Sequence, residues 1–153
     1  MAERGHYFED FRLGEILEHE GEARLERDLF VKLVEENGFA DQAIHADREY
    51  AISQGYRDII LPGPIVYTIV FRLTRRDVSW IGINVGTDGM KHREAVYPED
   101  TLKAVSEVTE LSNWQGSRGK THGLVKVRTV GINQNKSPVI EFSRSVLNPF
   151  RQT

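Results

Sequence analysis

The segment Asp41-Gln42-Ala43-Ile44-His45-Ala46-Asp47 sets one imidazole between two carboxylates, and Pro62-Gly63-Pro64 follows just ahead of an apolar run. Histidine is the side chain that exchanges a proton near neutral pH. His45 therefore reads either as a general base or as a ring that only fixes its loop by hydrogen bonds. Asp41, four residues earlier, is the candidate second member of an acid/base pair; the alternative is a solvated loop carboxylate. Asp47 reads as a helix cap, its oxygens meeting free N–H groups in the first turn that follows. Gly63 lets a carbonyl approach the backbone closely. Its proline neighbours carry no N–H, so Gly63 is the local donor at a helix start. Such a donor can hold the oxyanion that forms when a thioester becomes an enolate; the plainer reading is a turn before a helix.

Other reactive groups point elsewhere. The sequence has no cysteine, which excludes disulfides, thiolate metal sites and a cysteine nucleophile. His6 and His19 lack metal-ligand spacing, His92 and His122 fall in predicted strands, and all four read as surface or core residues, so no metal is expected. No phosphate-binding glycine loop is present, and Arg93, Arg118 and Lys120 read as solvated charges before they read as phosphate ligands.

The elements that must position these residues follow from periodicity. Gly14 to Glu20 reads as a short strand. Leu25 to Glu36 places Leu25, Leu29, Phe30, Leu33 and Val34 on one helical face, with Asn37-Gly38 as the stop. Phe39 to Ala46 reads as a loop, and Asp47 to Gln54 as a short helix leaving at Gly55. Pro62-Gly63-Pro64 opens a helix over about residues 62–76, since proline suits the first helical turn. There Ile65, Val66, Tyr67, Ile69, Val70, Phe71 and Leu73 crowd nearly every side, which predicts a buried helix. Arg72, Arg75, Arg76 and Asp77 mark where it emerges.

Beyond this helix the period changes to that of strands: Ile81 to Val85 and Gly89 to Val96 around a Gly/Asp turn, Leu102 to Leu111, His122 to Asn133, and Val139 to Leu147. Helices first and meander strands second make an α+β pattern, a single domain over residues 1–153 with a curved antiparallel sheet wrapped around one buried helix.

Composition sets the broad class. The chain has 153 residues, 39% hydrophobic and 28% charged, with a net charge of −3, as a soluble globular protein has. No basic block or interleaved aromatic-basic pattern suggests nucleic acid. No apolar run is long enough to span a bilayer, and the polar opening residues do not read as a signal peptide. Cytoplasmic localisation is the expectation.

These residues resemble the MaoC-like hydratases and dehydratases of the hot-dog superfamily, and most closely the mesaconyl-CoA hydratase-like branch. The resemblance runs from Tyr7-Phe8-Glu9-Asp10-Phe11 to Val146-Leu147. It is carried by Ile44-His45-Ala46-Asp47, Tyr50-Ala51, Asp77-Val78-Ser79, Val96-Tyr97-Pro98-Glu99-Asp100-Thr101-Leu102 and Val127 to Gln134. It implies a hot-dog fold and a homodimer with its active site at the subunit interface. It also implies reversible addition of water to the C2–C3 double bond of a short acyl-CoA, branched or dicarboxylic chains included. No cofactor is implied, CoA entering as part of the substrate. Carried over, the base falls on His45 and the thioester-holding amide on Gly63. Many relatives carry an aspartate five residues before the histidine, where this chain has Ala40; Asp41 is its nearest carboxylate. Glu99 stands where relatives have glycine, and His92 where many have an aromatic residue. Two other functions fit the same scaffold: a thioesterase, and a non-catalytic protein that binds an acyl thioester.

Overall fold

A computed structural model describes residues 7–152; His6 lies outside them. After a 3₁₀ turn at Phe8–Asp10 come strands β1 (Ile16–Glu18) and β2 (Ala23–Arg24), then helices α1 (Arg27–Glu36), α2 (Ala43–Ala46), α3 (Arg48–Ser53) and α4 (Gly63–Val78). Four long strands follow: β3 (Ile83–His92), β4 (Thr101–Asn113), β5 (His122–Ile132) and β6 (Pro138–Pro149). The sheet runs β1-β4-β5-β6-β3, antiparallel at every pairing, with β2 also on β4. It curves around α4, which is the hot-dog arrangement.

Helix α4 buries Ile65, Val66, Ile69 and Val70 against Ala104, Ile140 and Phe142 of the sheet. The approach is close: a Cβ on Gly131 of β5 would lie 2.7 Å from Val70 Cγ2 and 3.0 Å from Ile140 Cγ2, so only glycine fits beneath the helix. A second cluster forms at the other end from Phe11, Leu17, Val78, Val108, Val125, Val127 and Val146.

A polar layer separates the two clusters. Thr74 lies between Val70 and Val78 on α4, Ser106 between Ala104 and Val108 on β4, and Arg144 between Phe142 and Val146 on β6. His19 joins them, with Nδ1 2.7 Å from Asp77 Oδ2 and Nε2 2.8 Å from Ser106 Oγ, which in turn meets Thr129 Oγ1 at 2.7 Å. Arg144 donates to Thr74 Oγ1, Ser79 Oγ and Asn84 Oδ1 and lies over the Phe71 ring at 3.8 Å. Its partners are neutral, and burial pushes its pKa down to about 10.

Several expectations change. The segment Phe39 to Ala46 is not all loop, since its last four residues form α2. Leu29 is exposed and Leu25 is buried just ahead of α1, so the helix packs mainly through Phe30 and Val34. Helix α4 keeps an open stripe at Pro64, Thr68 and Arg72, because the sheet covers one side of it. The proposed turn between Val85 and Gly89 is not a turn. Ile83–His92 is one strand whose register against β6 shifts twice, between Asn84 and Gly86 and between Asp88 and Lys91. Gly89 takes a φ of 63° in the second shift, the conformation a bulge asks of glycine. Among the described residues, no helix is long and apolar enough to cross a membrane.

Candidate active site

His45 is buried in the single turn of α2, its ring edge-on to Phe39 at 5.8 Å between centroids. Its Nδ1 lies 2.7 Å from the Ile60 carbonyl oxygen. A carbonyl only accepts, so Nδ1 carries the hydrogen. In the neutral ring Nε2 then holds the lone pair, the arrangement a general base requires. The contact is doubled by the backbone, since Ile60 N–H donates to the Ile44 carbonyl at 3.2 Å.

The extended segment from Asp58 to Pro62 is thus the ledge on which His45 rests. Asp58 anchors it by accepting from Arg27 Nη2 at 2.6 Å and from the Ile59 amide at 2.8 Å, with Arg48 close by. Burial alone raises the pKa of this carboxyl, but the hydrogen bonds from Arg27 and Ile59 and the charges of Arg27 and Arg48 outweigh it and lower the pKa overall. Leu61 N–H donates to the Val96 carbonyl at 2.9 Å, fixing the ledge to the chain that leaves β3.

The ledge ends at the mouth of α4. Pro62 is the N-cap and Gly63 the first helical residue. The amides of Ile65 and Val66 both turn back to the Pro62 carbonyl, at 3.0 and 3.1 Å, and Pro64 has no N–H. That leaves Gly63 N–H as the open donor of the first turn, without a partner among the described residues. At such an end the helix dipole also favours negative charge. The reason for glycine here is not a special backbone angle, since its φ is not positive. A Cβ on Gly63 would lie 2.9 Å from Nε2 and 3.0 Å from Cε1 of His92, so the imidazole occupies the space a side chain would need.

His92 was read from the sequence as an ordinary strand histidine. It sits at the end of β3 opposite Ile140, a core residue of β6. Directly opposed residues of an antiparallel pair share a face of the sheet, so His92 points to the side where α4 lies. Its ring is exposed and its nitrogens have no hydrogen-bond partner among the described residues. Next to it Arg93 pairs with Glu141 at 2.7 Å, so that arginine has a structural partner already.

The other candidates separate. Asp47 accepts from the Tyr50 amide at 3.2 Å and caps α3, as its position suggested. Asp41 is exposed in the turn before α2, and no hydrogen bond or ion pair joins it to His45. Ala40 is exposed in the same turn. Sequence reasoning missed the Ile60 carbonyl, the Asp58 anchor and His92. The first two act through backbone geometry, which leaves no residue-type signal; the third depends on strand register.

Comparison with known proteins gives a consistent result. The family model for mesaconyl-CoA hydratase matches residues 1–153. The beta-methylmalyl-CoA dehydratase of Chloroflexus aurantiacus is 34% identical over 151 residues, covering 94% of this chain and 40% of that protein. The mesaconyl-CoA hydratase of Cereibacter sphaeroides is 32% identical over 153 residues, covering 97% of this chain and 43% of that protein. A crystal structure of a MaoC domain protein dehydratase from Chloroflexus aurantiacus superposes with a TM-score of 0.89 at 31% identity, over 99% of this chain and 42% of that one. The chain therefore spans less than half the length of the curated relatives it matches.

Proposed function

This chain belongs to the mesaconyl-CoA hydratase family, and from that premise we propose that it is an acyl-CoA hydro-lyase. It reversibly adds water to the C2–C3 double bond of a short acyl-CoA, with branched and dicarboxylic chains such as mesaconyl-CoA first among them. One observation carries the reading: a buried histidine whose Nδ1 is fixed on the Ile60 carbonyl stands on the ledge that ends at the open Gly63 amide.

In the hydration direction the thioester oxygen accepts from Gly63 N–H. His45 Nε2 takes a proton from water as the water oxygen attacks C3, and the electrons of the double bond move toward the thioester as an enolate. The amide meets the negative charge where it develops; loss of one such donor costs roughly 3–4 kcal/mol in known oxyanion holes. The enolate then needs a proton at C2, for which the family resemblance offered Asp41 or a group from a partner subunit.

The proposal includes assembly with a second hot-dog unit, in the simplest case a second copy. Among the described residues strand β3 is paired only with β6, its other edge open, with Ile83, Val85 and Met90 exposed along it. Such an edge is a template for pairing with another chain. The relatives' greater length is consistent with a second unit joined in the same polypeptide.

The test is incubation with a panel of enoyl-CoA and 3-hydroxyacyl-CoA thioesters, following double-bond absorbance and free CoA together. Loss of the double bond without CoA release supports the hydro-lyase. CoA release points to a thioesterase, and binding without turnover to a carrier. His45→Ala removes a general acid/base group and is expected to lower hydration by about 10²–10⁴-fold, with the fold checked by circular dichroism. Full activity in that variant removes His45 from the mechanism.

A further inference from the structure

We propose that His92 is the acid that protonates C2, the role left vacant by alanine at position 40. The inference rests on the hydro-lyase reading above and deepens it. Three observations support it. Its Nε2 is the ring atom that comes nearest to Gly63, 2.9 Å from where a Cβ would stand. Its nitrogens have no partner among the described residues. Its position opposite Ile140 turns it toward α4.

The geometry suits the chemistry. Gly63 N–H holds the thioester oxygen on C1, and C2 is one bond from C1. The His92 ring, set where a Gly63 side chain would begin, is therefore a candidate to reach C2. His45 is fixed to Ile60, three residues back along the ledge, which spans at most about 11 Å when fully extended. The two imidazoles thus stand at the two ends of one short segment, His45 on Ile60 and His92 beside Gly63. Asp41 shares none of these contacts, being exposed in the turn before α2.

The step balances. The water oxygen forms a bond to C3 while one of its protons passes to His45 Nε2. The π electrons of C2=C3 move onto the thioester oxygen. The enolate then collapses, C2 takes the proton from protonated His92 Nε2, and the nitrogen keeps the electron pair. One proton leaves His45 to solvent and one returns from solvent to His92, which resets the pair. In dehydration neutral His92 removes the C2 proton and protonated His45 delivers one to the departing hydroxyl.

The experiment uses mesaconyl-CoA, and its hydrated product dissolved in D₂O, with the full chain. Hydration is read from loss of the double bond, and C2 exchange from deuterium incorporation by mass spectrometry. His92→Gln keeps a side chain of similar length without an acid; it is expected to lose hydration and C2 exchange together by about 10²-fold or more. Asp41→Asn is expected to stay within about threefold of the wild type in both, as an exposed residue outside the reacting pair does. His92→Ala supplemented with free imidazole should recover part of the exchange, which a purely structural histidine does not allow. Wild-type exchange in His92→Gln, or its loss in Asp41→Asn alone, overturns the assignment while leaving the hydro-lyase in place. A wild-type protein that hydrates no enoyl-CoA in the panel overturns both.

Discussion

Gly63→Ala tests the helix mouth without touching a reactive group. The added Cβ would start 2.9 Å from His92 Nε2. Packed atoms settle at about 3.5–4.0 Å, so the ring must withdraw by roughly 0.6–1.1 Å. The ring is exposed, so withdrawal costs little folding energy, and alanine is at least as good a helix residue as glycine. The midpoint of thermal unfolding is expected to stay within about 4 °C of the wild type, the shift that about 1 kcal/mol brings in a chain of this size. Turnover should not be spared. A displacement near 1 Å in a reacting group can cost about 10²-fold, so kcat/KM should fall about 10–100-fold, or roughly 1.4–2.7 kcal/mol in the barrier. The assay is a double-mutant cycle on mesaconyl-CoA hydration. In the His92→Ala background the new methyl has no ring to displace, so Gly63→Ala should cost almost nothing further. Equal costs of Gly63→Ala in both backgrounds would show that the glycine matters for some reason other than His92.

Two stability predictions come from residues outside the site. Burial lowers the pKa of His19 and outweighs the hydrogen bond and charge of Asp77, with the charge of Arg144 adding to the lowering. The folded state therefore binds fewer protons than the unfolded state below about pH 6.5, so stability is full above that value and falls as pH drops below it. The fall is at most about 1.4 kcal/mol per pH unit from this one group, and His19→Gln should remove that part of the slope in urea titrations between pH 5 and 7.5; an unchanged slope is the contrary result. Glu99 has a left-handed φ of 75° while its Oε1 accepts from the Arg27 amide at 2.8 Å, capping α1. Glu99→Ala keeps the strain and loses the cap, at about 0.5–2 kcal/mol, whereas Glu99→Gly loses the cap but relieves about 1–2 kcal/mol of strain. The glycine variant should thus have the higher urea midpoint, and the reverse order would contradict this account.

The sequence made the helix ends readable where one residue type has one local use, but not the place of β3, which pairs with β6 where a meander of successive strands was expected. Asn37-Gly38 stops α1, Asp47 caps α3 and Pro62-Gly63-Pro64 opens α4, each through backbone chemistry confined to a few neighbours. The polar layer was harder to see. Arg144 occupies the same parity as Ile140, Phe142 and Val146 on β6, so alternation alone would put it inside. A charged residue in that slot was not read as buried because its compensation is spread over Thr74, Ser79 and Asn84, which come from other parts of the chain. The His45 contact is similar: the partner is a carbonyl, and any residue at position 60 would offer one.

His92 shows how a local misreading can hide a candidate functional residue. The glycines and aspartate between Val85 and Gly89 suggested a turn, but they serve as irregularities inside one strand. Asp88 opposes Ser143, and an unbroken register from there would set Lys91 opposite Ile140 and His92 opposite Val139. The strand instead places Lys91 opposite Glu141 and His92 opposite Ile140, one residue later, because the segment between Asp88 and Lys91 holds an extra residue. A shift of one residue exchanges the two faces of a strand. Had the same residues run on in unbroken register, Lys91 would face α4 and the imidazole would turn away from it. The bulge therefore aims His92 at Gly63, at the cost of a strand pattern that reads as a turn. Bulges recur beside active sites for this reason. On the same strand, the open edge that would receive a second hot-dog unit runs up to His92 itself. In the proposed assembly and the proposed proton transfer alike the element used is β3, so a change in its register is expected to disturb both.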